Sequence, residues 1–500
     1  MNLNVMLEKT AKNYASKAAI IMGEQRVSYA ELDEAANKVA NTLIKMGVNK
    51  GDRVAIGLPN NPEFVTTYFG AIKAGGIPVP LDIRLKIEEL ASLLNNCKPW
   101  VLVTDSSVME PLLAALNRFD FIKHVVDAAA VPKSTFPSYQ EIMASSSARR
   151  VDIELAPDDI ATISYAGGPT SHPQGAMLSH RNLVTALNAY ADGFHQTEKD
   201  MSVLFALPMY HVFGLASVML TSINKGSTVV IVPGTGRSIN SFLETIERER
   251  ATICLGVPYI YALAVNVARH EGVKHDLSSL RVCASAAAHL PVNVIHQFKQ
   301  YYGLTITDIW GLTEAISHVT CWDSDDKNKL GAAGKPLPGW EVKIVGDNGD
   351  ELPADRQGEI IVKGLIMTGY YDNPQTTAGV IRNDWLHTGD IGKIDGDGYL
   401  YITGRKKPMI ILKGQNVYPV DIEKALSTHP KIARAKIIGV PDQLRGETVR
   451  AIIVLKEGET ATEQEIRQFC QPIMADYKLP KEIIFAEAMP QTEETYRITP

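Results

Sequence analysis

ISYAGGPTSHPQGAMLSH, residues 163–180, is the stretch on which the reading of this chain turns. An apolar run ending near Tyr165 predicts a strand, and Ser179 is placed to cap a helix with apolar positions Leu183, Leu187 and Tyr190. Between them lie Gly167, Gly168, Thr170, Ser171 and Gly175, which let the backbone approach a ligand and aim N–H and O–H donors at an anion. Such a loop suits phosphate, although no Gly-Lys-Ser/Thr follows at the spacing of the common nucleotide-binding loop. A Gly/Ser/Thr-rich turn is also what a plain connector looks like, so its meaning depends on the chain around it.

Outward from this loop the pattern alternates. Upstream, residues 1–50 read as helical and amphipathic, a strand is expected at 53–58, and Asn61 with Pro62 opens a helix. Segments 77–82, 87–94 and 100–105 then read as strand, helix and strand, and further strands are expected at 228–232, 251–257, 279–285 and 304–310. This rhythm predicts an α/β fold, with a large N-terminal domain built on mostly parallel sheets and helices. From Gly339, short β runs with Gly and Asp in their turns predict a β-rich subdomain. Beyond Arg405 a small, mobile α+β C-terminal domain is expected, with helices at 419–426 and 463–473. The expected domains are 1–404 and 405–500, with a hinge near 405–408.

Five hundred residues call for more than one hydrophobic core. Fifty Lys and Arg against 56 Asp and Glu leave a net charge of −6 with no basic run, which argues against nucleic-acid binding. Cys97, Cys254, Cys283, Cys321 and Cys470 are scattered and form no C-x-x-C pair, as expected of reduced core residues in a cytoplasmic protein. The N-terminus lacks the apolar segment of a signal peptide, and no stretch approaches the roughly 20 apolar residues of a membrane span.

Further motifs follow in order along the chain. They are AIKAGGIPVPLD from Ala71, the central loop, PMYHVFGL from Pro208, WGLTE from Trp310 and GKPLPGWEVKIV from Gly334. GEIIVKG, MTGYYDNPQTT, WLHTGD from Trp385, GRKKPMIILKGQNVYPVDIE from Gly404 and GVPDQLRGE from Gly439 complete the series. With these motifs the chain resembles an AMP-forming acyl-CoA synthetase of the adenylate-forming superfamily, over essentially its whole length. The resemblance implies a two-step reaction: a carboxylate attacks the α-phosphorus of Mg-ATP, giving acyl-AMP and pyrophosphate, and the thiol of CoA then displaces AMP. Mg²⁺ is the implied cofactor, with ATP and CoA as co-substrates.

The resemblance also implies site residues. Thr313 would bond phosphate, Glu314 would sit on Mg²⁺, and Asp390 would accept the ribose hydroxyls with Arg405 beside it. The side chains suit these roles, since a carboxylate is a hard oxygen ligand for Mg²⁺ and makes charge-assisted bonds to hydroxyls. Gly168, Thr170, Gln174, Ser285, Ala286, Ala287, Asp308, Trp310 and Gly311 would complete the nucleotide site. His211 matches an aromatic residue near the acyl carboxylate, and Lys413 and Gly414 match the region lining the pantetheine passage. The segment HVFGLASVML carries no carboxylate to hold an α-ammonium, and the pocket implied by Val212, residues 285–288 and Trp310 is small and apolar. A fatty, alicyclic or aryl acid fits it better than an amino acid. A homodimer is a further expectation from the family.

The chain departs from the family pattern in three places. The central loop of the family reads [ST]-S-G-[TS]-T-G-x-P-K-G; here Pro169 removes a hydroxyl and an N–H, and Gln174 replaces a cation. At the C-terminus the family lysine is replaced by Tyr496, or by Arg497 if one residue is inserted. Pro408 stands where the family has the Asp or Lys of the hinge. Three readings are therefore open: an acyl-CoA ligase with Arg497 or Gln174 compensating, an adenylation-impaired relative that binds acyl-AMP, AMP or acyl-CoA or performs only the thioester half-step, and an enzyme that loads the phosphopantetheine of an acyl carrier protein. The intact WGLTE and HTGD motifs favour the first.

Overall fold

Short, fully apolar runs such as Thr228–Ile231 and Ile253–Gly256 are buried along their whole length, as strands covered on both faces must be. In the computed structural model, which describes residues 1–129, 136–165, 173–232, 238–322, 329–406, 408–442 and 444–489, they form the middle of a seven-stranded sheet. Its order is Ile306–Asp308, Val282–Ser285, Ile253–Gly256, Met201–Leu204, Thr228–Ile231, Ala18–Met22 and Gln25–Ser28, and only the last pair is antiparallel. The parallel register aligns Gly256 with Ser285 and Ser285 with Asp308. Three chain segments thus end together at the carboxyl edge, where open α/β sheets bind their ligands.

A second, four-stranded parallel sheet runs Ile77–Pro80, Arg53–Gly57, Val101–Thr104, His124–Asp127. Asn61 caps the helix Pro62–Lys73 as expected, accepting from the Phe64 N–H at 2.8 Å. Trp340–Val345, Gly358–Gly364, Trp385–Ile394, Ile381–Arg382 and Leu400–Arg405 make the antiparallel β-rich unit. Ile410–Leu412, Gln415–Val417, Ile432–Asp442, Gly446–Leu455 and Glu482–Phe485 form a last sheet with the helices Pro419–Ser427 and Glu463–Cys470. That unit encloses a core of its own, including Val417, Ile422, Leu426, Ile453 and Ile466. All five cysteines are free and buried. Among the described residues, no helix is long and apolar enough to cross a membrane.

Two local expectations are corrected, and one element was not anticipated. Residues 1–50 are not helical throughout: the helices Leu3–Asn13 and Tyr29–Lys45 flank a hairpin, because the apolar run Ala18–Met22 adds to the large sheet beside Thr228–Ile231. Ser28 and Glu31 then form a capping box that starts the second helix. The central loop does not lead straight into a helix either. Gly175–Ser179 is a strand paired antiparallel to Ile160–Tyr165, although Ser179 does cap the helix His180–Gly193, accepting from the Asn182 N–H at 3.2 Å. Finally, Phe213–Leu220 is a fully buried π-helix, a rare form that marks functional sites.

Candidate active site

The WGLTE motif leaves the carboxyl edge of the large sheet immediately after Asp308. Ile309 N–H donates to the Ser285 carbonyl at 2.8 Å, tying the exit of one strand to the end of the next. Gly311 and Leu312 pair with Ser317 and His318, and a Cβ at residue 311 would lie 1.8 Å from the Ser317 carbonyl oxygen, so only glycine fits. The short 3₁₀ turn Thr313–Ala315 lies between these strands, and Ile316 (φ 73°) and Ser317 (φ 142°) close it in a conformation costly for side-chain-bearing residues. Such a conformation persists only where surrounding contacts impose it. Glu314 Oε1 accepts from the Tyr370 hydroxyl at 2.7 Å, and its carbonyl accepts from Met367 N–H at 2.7 Å.

Asp390 lies buried in the strand Trp385–Ile394. Its Oδ2 accepts from Trp310 Nε1 at 2.9 Å, and its Oδ1 pairs with Arg405 Nε at 2.5 Å. A carboxylate offers about four acceptor positions, so capacity remains for ribose hydroxyls. Loss of hydration raises the pKa of Asp390, with Arg405 and Trp310 opposing it, and loss of hydration likewise raises Glu314 against the pull of Tyr370. Asp308 is pushed well above the usual carboxylate range by its burial.

Glu359 holds the HTGD turn in place. It accepts from Gly389 N–H at 3.2 Å and pairs with His387 Nδ1 at 2.9 Å and Lys406 Nζ at 3.0 Å. Although burial works against ionisation, His387 and Lys406 keep its carboxyl below the ordinary value.

A cleft of about 140 Å³ opens between the large unit and the last sheet. His211, Phe213, Gln174, Val257 and Ala287 line one side, and Lys413, Gly414, Gln415 and Tyr418 the other. His211 Nδ1 accepts from Phe213 N–H at 3.2 Å, which leaves the proton of the neutral ring on Nε2. Burial lowers its pKa to about 4, so the ring is neutral at physiological pH. Gly414 has φ 79°, and a Cβ there would stand 2.4 Å from Val257 Cγ1. The Lys413 ammonium lies 4.8 Å from the Tyr259 ring centroid. Tyr418 joins the two halves of the site, because Glu314, Arg405 and Asp390 all act on its hydroxyl, which burial raises to about 12.

The structure therefore gathers Trp310, Gly311, Thr313, Glu314, Asp390 and Arg405 into one cluster, with Asp308 at its sheet edge, and His211, Gln174, Ala287, Lys413 and Gly414 around one cleft. Ser285 and Ala286 are buried beside Asp308, and the Ser285 hydroxyl has no hydrogen-bond partner among the described residues. Val212, expected in the acyl pocket, is buried in the core and does not line the cleft, whereas Phe213, buried in the same core, does. Gly168, Thr170, Pro169, Tyr496 and Arg497 lie outside the described residues. Sequence reasoning missed Glu359, Tyr370 and Tyr418. Each sits inside a quoted motif, GEIIVKG, MTGYYDNPQTT or QNVYP, which was the available signal.

A model of the AMP-binding enzyme family matches residues 7–371, and a model of the AMP-binding enzyme C-terminal domain matches residues 421–495. The chain belongs to the AMP-binding enzymes. Within this adenylate-forming superfamily it is an acid–thiol ligase. It is 34% identical to a long-chain-fatty-acid–CoA ligase of Bacillus subtilis, with 98% of this chain and 92% of the relative covered. It is 33% identical to an indoleacetate–CoA ligase of Aromatoleum aromaticum, over 98% and 96%. Among solved structures, a double mutant of o-succinylbenzoate CoA synthetase from Bacillus subtilis, bound with its product analogue OSB-NCoA, superposes with TM-score 0.86 at 28% identity, covering 98% of this chain and 96% of that one. ATP-bound MatB from Rhodopseudomonas palustris gives TM-score 0.74 at 30% identity, covering 99% and 96%. These AMP-binding enzymes share the arrangement of a large α/β unit and a smaller C-terminal one.

Proposed function

We propose that this AMP-binding enzyme activates an apolar carboxylic acid, fatty, alicyclic or aryl, as its acyl-AMP and passes the acyl group to CoA. The observation that carries the proposal is the trio of Trp310, Asp390 and Arg405, joined by a hydrogen bond and an ion pair, in a chain whose cleft is lined by His211, Gln174 and Lys413. In this reading Asp390 takes the ribose hydroxyls, Trp310 lies against the base, and Thr313 bonds phosphate. Gly168, Thr170, Gln174 and Arg497 are assigned to phosphate binding by the family pattern. The neutral His211 ring, with its proton on Nε2, can donate to the carboxylate of the acid without drawing off its nucleophilic charge.

Glu314 fits Mg²⁺. No group of three or more His, Cys, Asp or Glu is gathered for a metal among the described residues, and Mg²⁺ in nucleotide sites is held by one or two carboxylates together with substrate phosphates. Bound there, Mg²⁺ would neutralise phosphate charge, while the Tyr370 hydroxyl keeps the Glu314 carboxylate oriented.

The first step forms a bond from a carboxylate oxygen to the α-phosphorus as pyrophosphate leaves. In the second a thiol sulfur attacks the acyl carbon and AMP leaves with its electron pair. Lys413 and Gly414, seated against Tyr259 and Val257, line the proposed thiol passage. The proposed division of the chain remains 1–404 and 405–500, turning near 405–408.

The test is pyrophosphate release from Mg-ATP with a panel of saturated and aryl carboxylic acids, alongside calorimetry of AMP binding. Release that depends on one class of acid is the expected result. AMP binding without release for any acid overturns this reading in favour of a half-step enzyme or sensor.

A further inference from the structure

The helix Ile87–Cys97 begins with a capping box in which Glu89 accepts from the Lys86 N–H at 3.0 Å. Two other helices are capped the same way, by Glu31 and Glu141, and those glutamates are exposed and bond only at their own helix start. Glu89 is buried, and the rest of its carboxylate is spent on the C-terminal unit. Its Oε2 also accepts from Ala475 N–H at 2.9 Å, and its Oε1 pairs with Lys478 Nζ, itself nearly buried. Around this point Lys86 Nζ reaches Asp476 at 2.9 Å. Arg84, held bidentate by Asp82 at 2.9 and 2.7 Å, lies between the rings of Tyr210 (5.4 Å) and Tyr477 (4.8 Å), one from each unit. A buried carboxylate that closes one helix start also receives an ammonium and an amide from a segment almost 390 residues away.

We propose that Glu89, through Lys478 and Ala475, is a positioning residue of the thiol-transfer step. It fixes the C-terminal unit in the orientation that lays Lys413 and Gly414 against Tyr259 and Val257 at the cleft. A surface ion pair could not do this, because water would share its charges. A buried pair can, because removing one partner strands the other charge out of water. Adenylation does not need this contact, since Thr313, Glu314 and Asp390 are held by Gly311, Tyr370 and Trp310 within the large unit.

The inference rests on the ligase reading above, so its test carries a readout independent of turnover. Lys478→Gln leaves the helix cap intact and is compared with Glu89→Gln. The expected result is a fall of about tenfold to a hundredfold in kcat for thioester formation from supplied acyl-AMP and CoA, with KM for acyl-AMP unchanged. Pyrophosphate release should fall far less. Amide hydrogen exchange at Ala475 should rise about tenfold or more in both single variants while the core strand Gly446–Leu455 stays protected. Equal losses in both half-reactions, or no rise in exchange at Ala475, would overturn the proposal. If the unaltered protein forms no thioester from any acyl-AMP, the ligase reading fails and the exchange data alone decide whether the contact clamps the two units.

Discussion

The indole N–H of Trp310 and the carboxylate of Asp390 are joined by one 2.9 Å hydrogen bond across 80 residues of chain. The bond makes Trp310, the proposed aromatic wall of the nucleotide site, and Asp390, its proposed ribose acceptor, a single unit, so neither shifts without the other. Asp390→Ala should weaken AMP binding by about 1.5–3 kcal/mol, roughly 10- to 150-fold, as expected for loss of hydrogen bonds to a charged group. Trp310→Phe keeps the ring and removes only the N–H, and should lose less. Calorimetric titration of AMP separates the two.

Glu314 is oriented by the Tyr370 hydroxyl at 2.7 Å. Glu314→Gln should sharply lower pyrophosphate release and raise the Mg²⁺ concentration needed for half-maximal rate. Tyr370→Phe should move both quantities the same way by a smaller factor, because the carboxylate stays but loses its orientation. Rates measured across a Mg²⁺ series check this, and an unchanged Mg²⁺ dependence in Glu314→Gln would remove Glu314 from the metal site.

Gln174 lines the cleft where the family pattern has a lysine. Restoring the charge with Gln174→Lys should accelerate adenylation by about tenfold, the value of one charge-assisted phosphate contact at the low end of about 1.5 kcal/mol. Single-turnover pyrophosphate release is the measurement. No change would mean that another cation already serves the phosphate.

His318 is buried, 2.8 Å from the Ser217 hydroxyl and stacked 3.9 Å from Tyr190, and burial lowers its pKa to about 3. In the unfolded chain it titrates near 6.5. Its folded pKa is therefore depressed, and its contribution to stability is complete above pH about 6.5 and lost as pH falls toward about 3. His318→Asn should reduce the slope of unfolding free energy against pH by about 1.4 kcal/mol per unit between pH 6 and 4. Urea unfolding across that range measures it. His180 and His211, both lowered to about 4 by burial, supply the acid sensitivity that remains in the variant.

What was legible in the chain was what lies close together in it. WGLTE, HTGD and QNVYP each carry their own turn chemistry, and Asn61 and Ser179 cap helices where their spacing places them. The hairpin of Ala18–Met22 and Gln25–Ser28 was missed because its first strand is stabilised by a neighbour, Thr228–Ile231, more than 200 residues away. Glu359 and Tyr370 were missed for the same reason. The sequence displays them as ordinary members of β segments, and only the register of Glu359 against Ile391 and the approach of Tyr370 to Glu314 give them a task. Glu89 reads as one more capping glutamate until the residues around 475–478 arrive above it.

The π-helix Phe213–Leu220 lies directly after His211 and carries the extra residue per turn that distinguishes this form from an α-helix. Deleting one residue from it would let the segment relax to the common 3.6-residue winding, and because the tighter turn makes up for the lost residue, what flanks the segment would shift in phase by far less than the roughly 100° of one α-helical residue. His211, before the segment, would keep its place at the cleft while the side chains within the segment are redistributed. A one-codon deletion here reshapes one wall of the cleft in a way that no point substitution can reach.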